Sequence, residues 1–285
     1  MSWRPPFRAE CYRFLRTRTN WLLLLIPALF GAGRILGAHA ADRMERARRI
    51  AAGLDAPQGL AQTVESGFGP LSDGLRAGAA VLALLLLIVG ATQLVREREN
   101  GSLGLAFLAR TRGAVVAGKA LVLLLFTVAG FSMLLLVSAG LAAFLNGLGP
   151  VVDEGFEMAS AAELWRDLGK GGLASLPALL AAGWFGLFVS SVTNTAASAV
   201  AATLVPFLAF DLLGGLFQPL AQRIFVNYVP FLGSGSPLVE LTRISRAYSD
   251  AGWIEGELFR AVWIPGLEGL LLLLLAVLVT RSRSV

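Results

Sequence analysis

Apolar residues run in long blocks along this chain, and the charges gather between the blocks. Ala77 to Val95, Ala120 to Pro150 and Gly171 to Phe210 contain no charged residue at all. A bilayer core about 30 Å thick asks for about 20 apolar residues in a helix. Each block is long enough to cross, and 171–210 is long enough to cross twice, with the polar hinge Ser190 to Thr195 (SSVTNT) between the passes. Further apolar runs open at Trp21 and at Trp263. The pattern predicts an all-α integral membrane protein whose six spans cover about 21–41, 77–95, 113–145, 171–192, 196–217 and 263–280. The third run exceeds the need of one crossing, so its helix tilts or continues past the membrane. Pro177 and Pro206 are placed to kink the fourth and fifth.

The segments between the runs carry weaker signals. In residues 1–20, Trp3, Phe7, Cys11, Phe14 and Leu15 fall on one helical face and Arg4, Arg8, Arg13, Arg16 and Arg18 occupy the rest. This pattern predicts a helix lying in the membrane interface, with a basic flank that merely orients the first span as the alternative. Asp42 to Arg76 is polar, and Asp42 to Ala52 suits a short surface helix with pairs such as Glu45–Arg49. Gly147 to Lys170 is acidic, and Gln218 to Arg260 is moderately apolar, as expected of interfacial or partly re-entrant helices. Trp253, Phe259 and Trp263 resemble an aromatic belt. Ala38-His39-Ala40 after an apolar run imitates a signal-peptidase site, but the five runs that follow favour a retained span.

Composition supports the membrane class. Of 285 residues, 56% are hydrophobic and 15% charged, and mean hydropathy is +0.70; soluble domains carry about 25% charged residues. The net charge of +5 could suggest nucleic acid, but the arginines flank apolar runs and read as topology signals. With both termini inside, basic residues are about twofold denser in the inner segments, and they lie beside the spans. A single cysteine, Cys11, allows no internal disulfide. Cys11 and the single histidine, His39, fall at opposite ends of the first span, which leaves no His-based catalytic or metal site.

The candidate chemistry lies in Arg96 to Lys119, a basic island between two charge-free runs. Arg96, Arg98, Arg110, Arg112 and Lys119 stand there against Glu97 and Glu99. Such a short basic loop stays on the cytoplasmic side. Its pattern is E-x-E-x-G-[ST]-L, a Leu-rich centre, then R-x5-G-K opening an apolar run. Glu97, Glu99, Gly101, Ser102, Leu103, Leu105, Leu108, Arg112, Gly118 and Lys119 carry it. This resembles the permease subunits of type-2 ABC transporters, with Ala109 where the family often has proline.

The resemblance implies that 96–112 forms a cytoplasmic coupling helix between spans two and three, docked on a separate ATPase. Glu97, Glu99, Gly101, Leu105, Arg112, Gly118 and Lys119 are the coupling residues it implies. Glu97 and Glu99 would meet the partner in preference to pairing locally with Arg96 and Arg98. It further implies two copies of a cytosolic ABC ATPase and a second permease chain, most simply a copy of this one. ATP and Mg2+ would be held by the ATPase, with no cofactor in this chain. Export across a bacterial inner membrane, with both termini cytoplasmic, is the function it implies. Nucleic acid is not an expected partner.

Other features weigh less. Gly113 to Ala120 nearly matches a phosphate loop, but Ala120 replaces the magnesium-binding hydroxyl and no strand pattern precedes it. Lys119 is expected to snorkel to the headgroups. Gly31, Gly33 and Gly37 read as helix-packing positions. Asp211 either lines a substrate path, pairs with an arginine or sits at headgroup level; Glu268, read as near the outer end of the last span, is a second candidate for that path. A stand-alone channel or secondary transporter would show mid-membrane charges in several spans and internal repeats. A membrane enzyme would need a clustered catalytic set. A scaffold fits the same runs.

Overall fold

The computed structural model describes residues 12, 16, 18–52, 66–109, 111–153, 156–213, 223–230, 235–246, 253 and 255–282. The basic N-terminal segment read as an interfacial helix lies almost wholly outside the described residues; within it, helical Arg16 donates to the Tyr12 hydroxyl at 3.0 Å.

Eight α-helices are described. They are α1 (Arg18–Ala51), α2 (Phe68–Glu99), α3 (Ser102–Ala109), α4 (Arg112–Asn146), α5 (Ala161–Val192), α6 (Ala196–Leu213), α7 (Pro237–Ser245) and α8 (Glu255–Ser282). With no water in a bilayer core, a backbone must satisfy its own polar groups, and charge-free runs therefore fold as helices. Five helices, α1, α2, α4, α5 and α8, are long and apolar enough to cross a membrane, and α6 contributes a shorter apolar one.

The helices outrun the apolar blocks. Asp42 to Ala51 is no separate surface helix but the continuation of α1. Helix formation needs only satisfied backbone bonds, and the pairs that suit an isolated helix serve equally to prolong one. Similarly α8 begins at Glu255, well before the apolar run. The acidic connection after α4 forms a small hairpin, β1 (Val151–Asp153) with β2 (Phe156–Ala159), antiparallel with Val152 opposite Glu157. One acid of this segment has a local task. Glu163 closes a capping box with Ser160 at the start of α5, accepting from the Ser160 amide at 3.0 Å.

α2 and α5 form the inside of the bundle. The most apolar window is 67% buried in α2 and 61% in α5, against 28% in α1 and 17% in α8. The two inner helices cross with their backbones almost touching. A Cβ on Gly90 would strike the Gly183 carbonyl, and one on Gly186 would strike the Leu87 carbonyl. Lipid tails are as apolar as the helix surface, so close packing at small residues drives such contacts. Gly31 serves the same end between α1 and α2, where an added Cβ would lie 2.8 Å from the Gly74 carbonyl oxygen. Gly33 and Gly37, read as packing positions too, have open space around them.

Candidate functional site

The Arg96–Lys119 segment lies where α2 ends, α3 turns and α4 begins. α2 stops because Gly101 takes φ +68°, a left-handed conformation that costs an L side chain about 1–2 kcal/mol. The Gly101 amide closes the turn on the Arg98 carbonyl at 3.0 Å. Ser102 then starts α3 and donates its hydroxyl to the Glu97 carbonyl at 3.3 Å. Leu103 is buried in the main core, so α3 is held to the bundle by an apolar side chain. The side chains of Leu105 and Leu108 lie outside the described residues.

Several charged residues of the motif are engaged within the chain. Lys119, expected to snorkel, is instead buried, and its Nζ lies 2.8 Å from Glu97 Oε1, with the two side chains 5% and 15% exposed. It sits about two turns inside α4, where a counter-ion offsets the loss of water around the ammonium. Glu97 and Glu99 both have contacts within the chain. Glu97 holds α4, and Glu99 Oε1 accepts the Ala196 amide at 2.8 Å. Arg98 donates to the Thr193 carbonyl.

Adjacent residues of opposite charge thus hold the two sides of the α5–α6 turn. A cation suits the C-terminal carbonyls of a helix and a carboxylate suits the N-terminal amides. Arg98 meets the first at the end of α5, and Glu99 meets the second at the start of α6. Arg112 repeats the logic at α8, donating to the Arg281 carbonyl at 3.1 Å while its guanidinium lies 5.4 Å from the centre of the Phe107 ring on α3. Ser190, read from sequence as part of a polar hinge, ties α5 to α2 by accepting the Leu94 and Val95 amides at 3.1 Å each. The last turn of α2 therefore gathers α4, α5 and α6, the start of α4 gathers the end of α8, and the short helix α3 links the two. Arg96, Glu99, Asn100, Gly101 and Thr111 are exposed there.

The near-match to a phosphate loop, Gly113 to Ala120, is continuous helix with Gly118 buried, so no loop exists to cradle a phosphate. Among the described residues no group of His, Cys, Asp or Glu could hold a metal ion. His39 bonds Asn146 at 3.0 Å, and Cys11 lies outside the described residues.

The two candidates for a substrate path part company. Asp211 is in the last turn of α6, but its side chain lies outside the described residues. Glu268 is not near the end of its helix but in the middle of α8, where its neighbour Gly269 abuts Trp184 and Ala181 of α5. Its Oε2 accepts the Phe225 amide at 2.6 Å. Phe225 opens a single 3-10 turn, Phe225–Tyr228, and its ring lies 6.0 Å from that of Phe185 and 6.3 Å from that of Phe207. The turn therefore enters the bundle to mid-helix depth. Irregular backbone at such depth survives only when protein satisfies it, and Glu268 supplies an acceptor for its first amide. This pairing has no signal in the sequence, because Phe225 and Glu268 are joined by a connection of irregular length and composition.

No curated protein matches this chain. A family model described as "ABC-2 family transporter protein" matches residues 7–279, nearly the whole length and all the helices gathered at the α3 end. The chain belongs to the ABC-2 transporter family, as the E-x-E-x-G-S-L pattern implied, and is a multi-pass membrane protein, the permease component of an ABC transporter.

Proposed function

We propose that this permease exports its substrate across a bacterial cytoplasmic membrane, driven by two copies of a separate ABC ATPase that dock on α3. In this reading six helices cross, both termini are cytoplasmic, and a second copy of the chain completes the pathway. α6 serves as the fifth span, since its 18 residues reach about 27 Å at 1.5 Å per residue. ATP and Mg2+ belong to the ATPase, and this chain performs no hydrolysis. A neighbouring gene for a soluble ATPase with a complete phosphate loop would favour this reading over a scaffold or an ATP-independent channel.

The observation that carries the proposal is the gathering of helix ends on the two segments that α3 joins, Glu97–Glu99 and Arg112. A push on an isolated surface loop would be absorbed by the loop. Here α3 joins two connected ends: the last turn of α2, which holds α4 through Glu97–Lys119 and the α5–α6 turn through Arg98 and Glu99, and the start of α4, which holds α8 through Arg112. The coupling residues are thus transmission elements inside the chain, and the partner meets the outward side of the loop, where Arg96 and Asn100 stand.

The test is co-purification with the ATPase and hydrolysis in lipid discs. Arg96→Glu should weaken association. Glu97→Ala/Glu99→Ala should keep association but uncouple hydrolysis from transport. If no ATPase associates with the wild-type chain, the docking role of α3 is wrong and the scaffold or channel reading moves ahead.

A further inference from the structure

A groove of about 680 Å³ opens on the flank of the bundle, between α1 and α2 and away from α3. Its floor is apolar, formed by Phe30 of α1 and Ala80, Val81 and Leu84 of α2, and the buried Pro230 closes one wall. Its rim is charged: Arg34, Asp73 and Arg76. Asp73 is engaged by Arg246, whereas both Arg34 and Arg76 are exposed and, among the described residues, neither forms an ion pair.

The depth of the groove follows from helix geometry. Arg76 and Arg96 bracket the charge-free run of α2 and stand about 30 Å apart along the axis, the thickness of a hydrocarbon core. Arg76 is therefore at the membrane surface remote from α3. Arg34 is at the same level, because Gly31 and Ile35 pack against Gly74. From Arg76, the apolar floor descends about 12 Å along α2 to Leu84. Arg34 is also a charge within the first apolar run, and such a residue marks a ligand path by default.

We propose that this groove binds an anionic phospholipid of the leaflet remote from α3, its phosphate between Arg34 and Arg76 and one acyl chain along Ala80, Val81 and Leu84. The chemistry matches at both ends, with paired guanidiniums suiting phosphate oxygens and an apolar trough suiting a chain. Basic pockets between membrane helices take lipid headgroups in this way. A second copy of the chain is a poorer occupant, because a two-fold contact would set the same arginines against themselves. The inference is independent of how the permease is driven.

The test uses the full chain in discs containing equal phosphatidylglycerol and phosphatidylcholine, followed by native mass spectrometry of the retained lipid. The wild type should retain phosphatidylglycerol preferentially. Arg34→Gln and Arg76→Gln should each lower that preference about fivefold, while Arg166→Gln on the exposed side of α5 leaves it unchanged. Leu84→Trp, which fills the trough and keeps both arginines, should lower retention of either lipid. Unchanged preference in the Arg34→Gln/Arg76→Gln variant overturns the proposal. So does competition by soluble glycerol phosphate as strong as by lipid, which would mean a headgroup site without a chain, or a dimer whose dissociation is needed before any lipid binds.

Discussion

The α3 end of the bundle and the Phe225–Tyr228 turn both join separate elements through polar groups, and they do so by different means. At the α3 end, full charges meet charges or the partial charges of helix ends. Lys119 meets Glu97, Glu99 meets the first amide of α6, and Arg98 and Arg112 meet the last carbonyls of α5 and α8. At the Phe225–Tyr228 turn a carboxylate meets one backbone amide, and aromatic rings do the rest. The first arrangement joins many elements through one ion pair and several charge-assisted bonds to helix ends. The second fastens one short turn to one helix through a single bond of the same kind. The contrast is between a shared junction and a single fastening.

The strongest way to break the first arrangement is to leave one of its charges alone. Lys119→Met removes the buried ammonium from beside Glu97 and should cost up to about 3–5 kcal/mol. Thermal unfolding of the purified chain in detergent should show it, and Glu97→Gln/Lys119→Met should recover most of the loss. If the single and double variants melt alike, the pair is not desolvated as the geometry requires.

The second arrangement should yield to a loss of the acceptor, not of the charge. Glu268→Leu removes the partner of the Phe225 amide and should cost about 1.5–3 kcal/mol. Glu268→Gln keeps a carbonyl oxygen for the same bond and should fall well short of that. Equal melting of the two variants would mean that charge, and not the bond, is what α8 supplies. Protease sensitivity near Phe225 gives an independent reading of whether the turn has left the bundle.

The smallest effect separates helix-end electrostatics from simple hydrogen bonding. Glu99→Gln preserves an acceptor for the Ala196 amide and removes the charge, so it should cost about 0.3–1 kcal/mol. The difference between it and the wild type should shrink as salt is raised, since screening weakens the charge and leaves the bond. A difference that does not change with salt would place the whole of the contact in the hydrogen bond.

Particular residues show where the sequence was legible. The charge-free runs around Ala77–Val95 and Ala120–Pro150 announced helices because hydropathy and length act locally. Gly101 stood in the sequence only as a motif position, and its left-handed φ, which ends α2, is seen in the structure. Lys119 was misread as a headgroup anchor because a lysine near a helix start looks the same whether its counter-ion is lipid or a glutamate. Only the return of the chain through α3 sets Glu97 beside it. The Phe225 partner of Glu268 was not legible because 43 residues separate the two. The α1 extension to Ala51 was missed because charged pairs support an isolated helix and a continued one alike.

The sequence by itself determined that the chain is helical, that it lies in a membrane, and that a basic island joins its second and third apolar runs; through the motif in that island it also determined the family. These are properties of neighbouring residues, and bilayer thickness and backbone hydrogen bonding read them directly. Only the tertiary structure decided which charges meet. Lys119 with Glu97, Glu99 with Ala196, Arg112 with Arg281 and Glu268 with Phe225 are distant in the chain. Their pairing depends on the packing of whole helices, of which the close crossing of α2 and α5 at Gly90, Gly183 and Gly186 is one part.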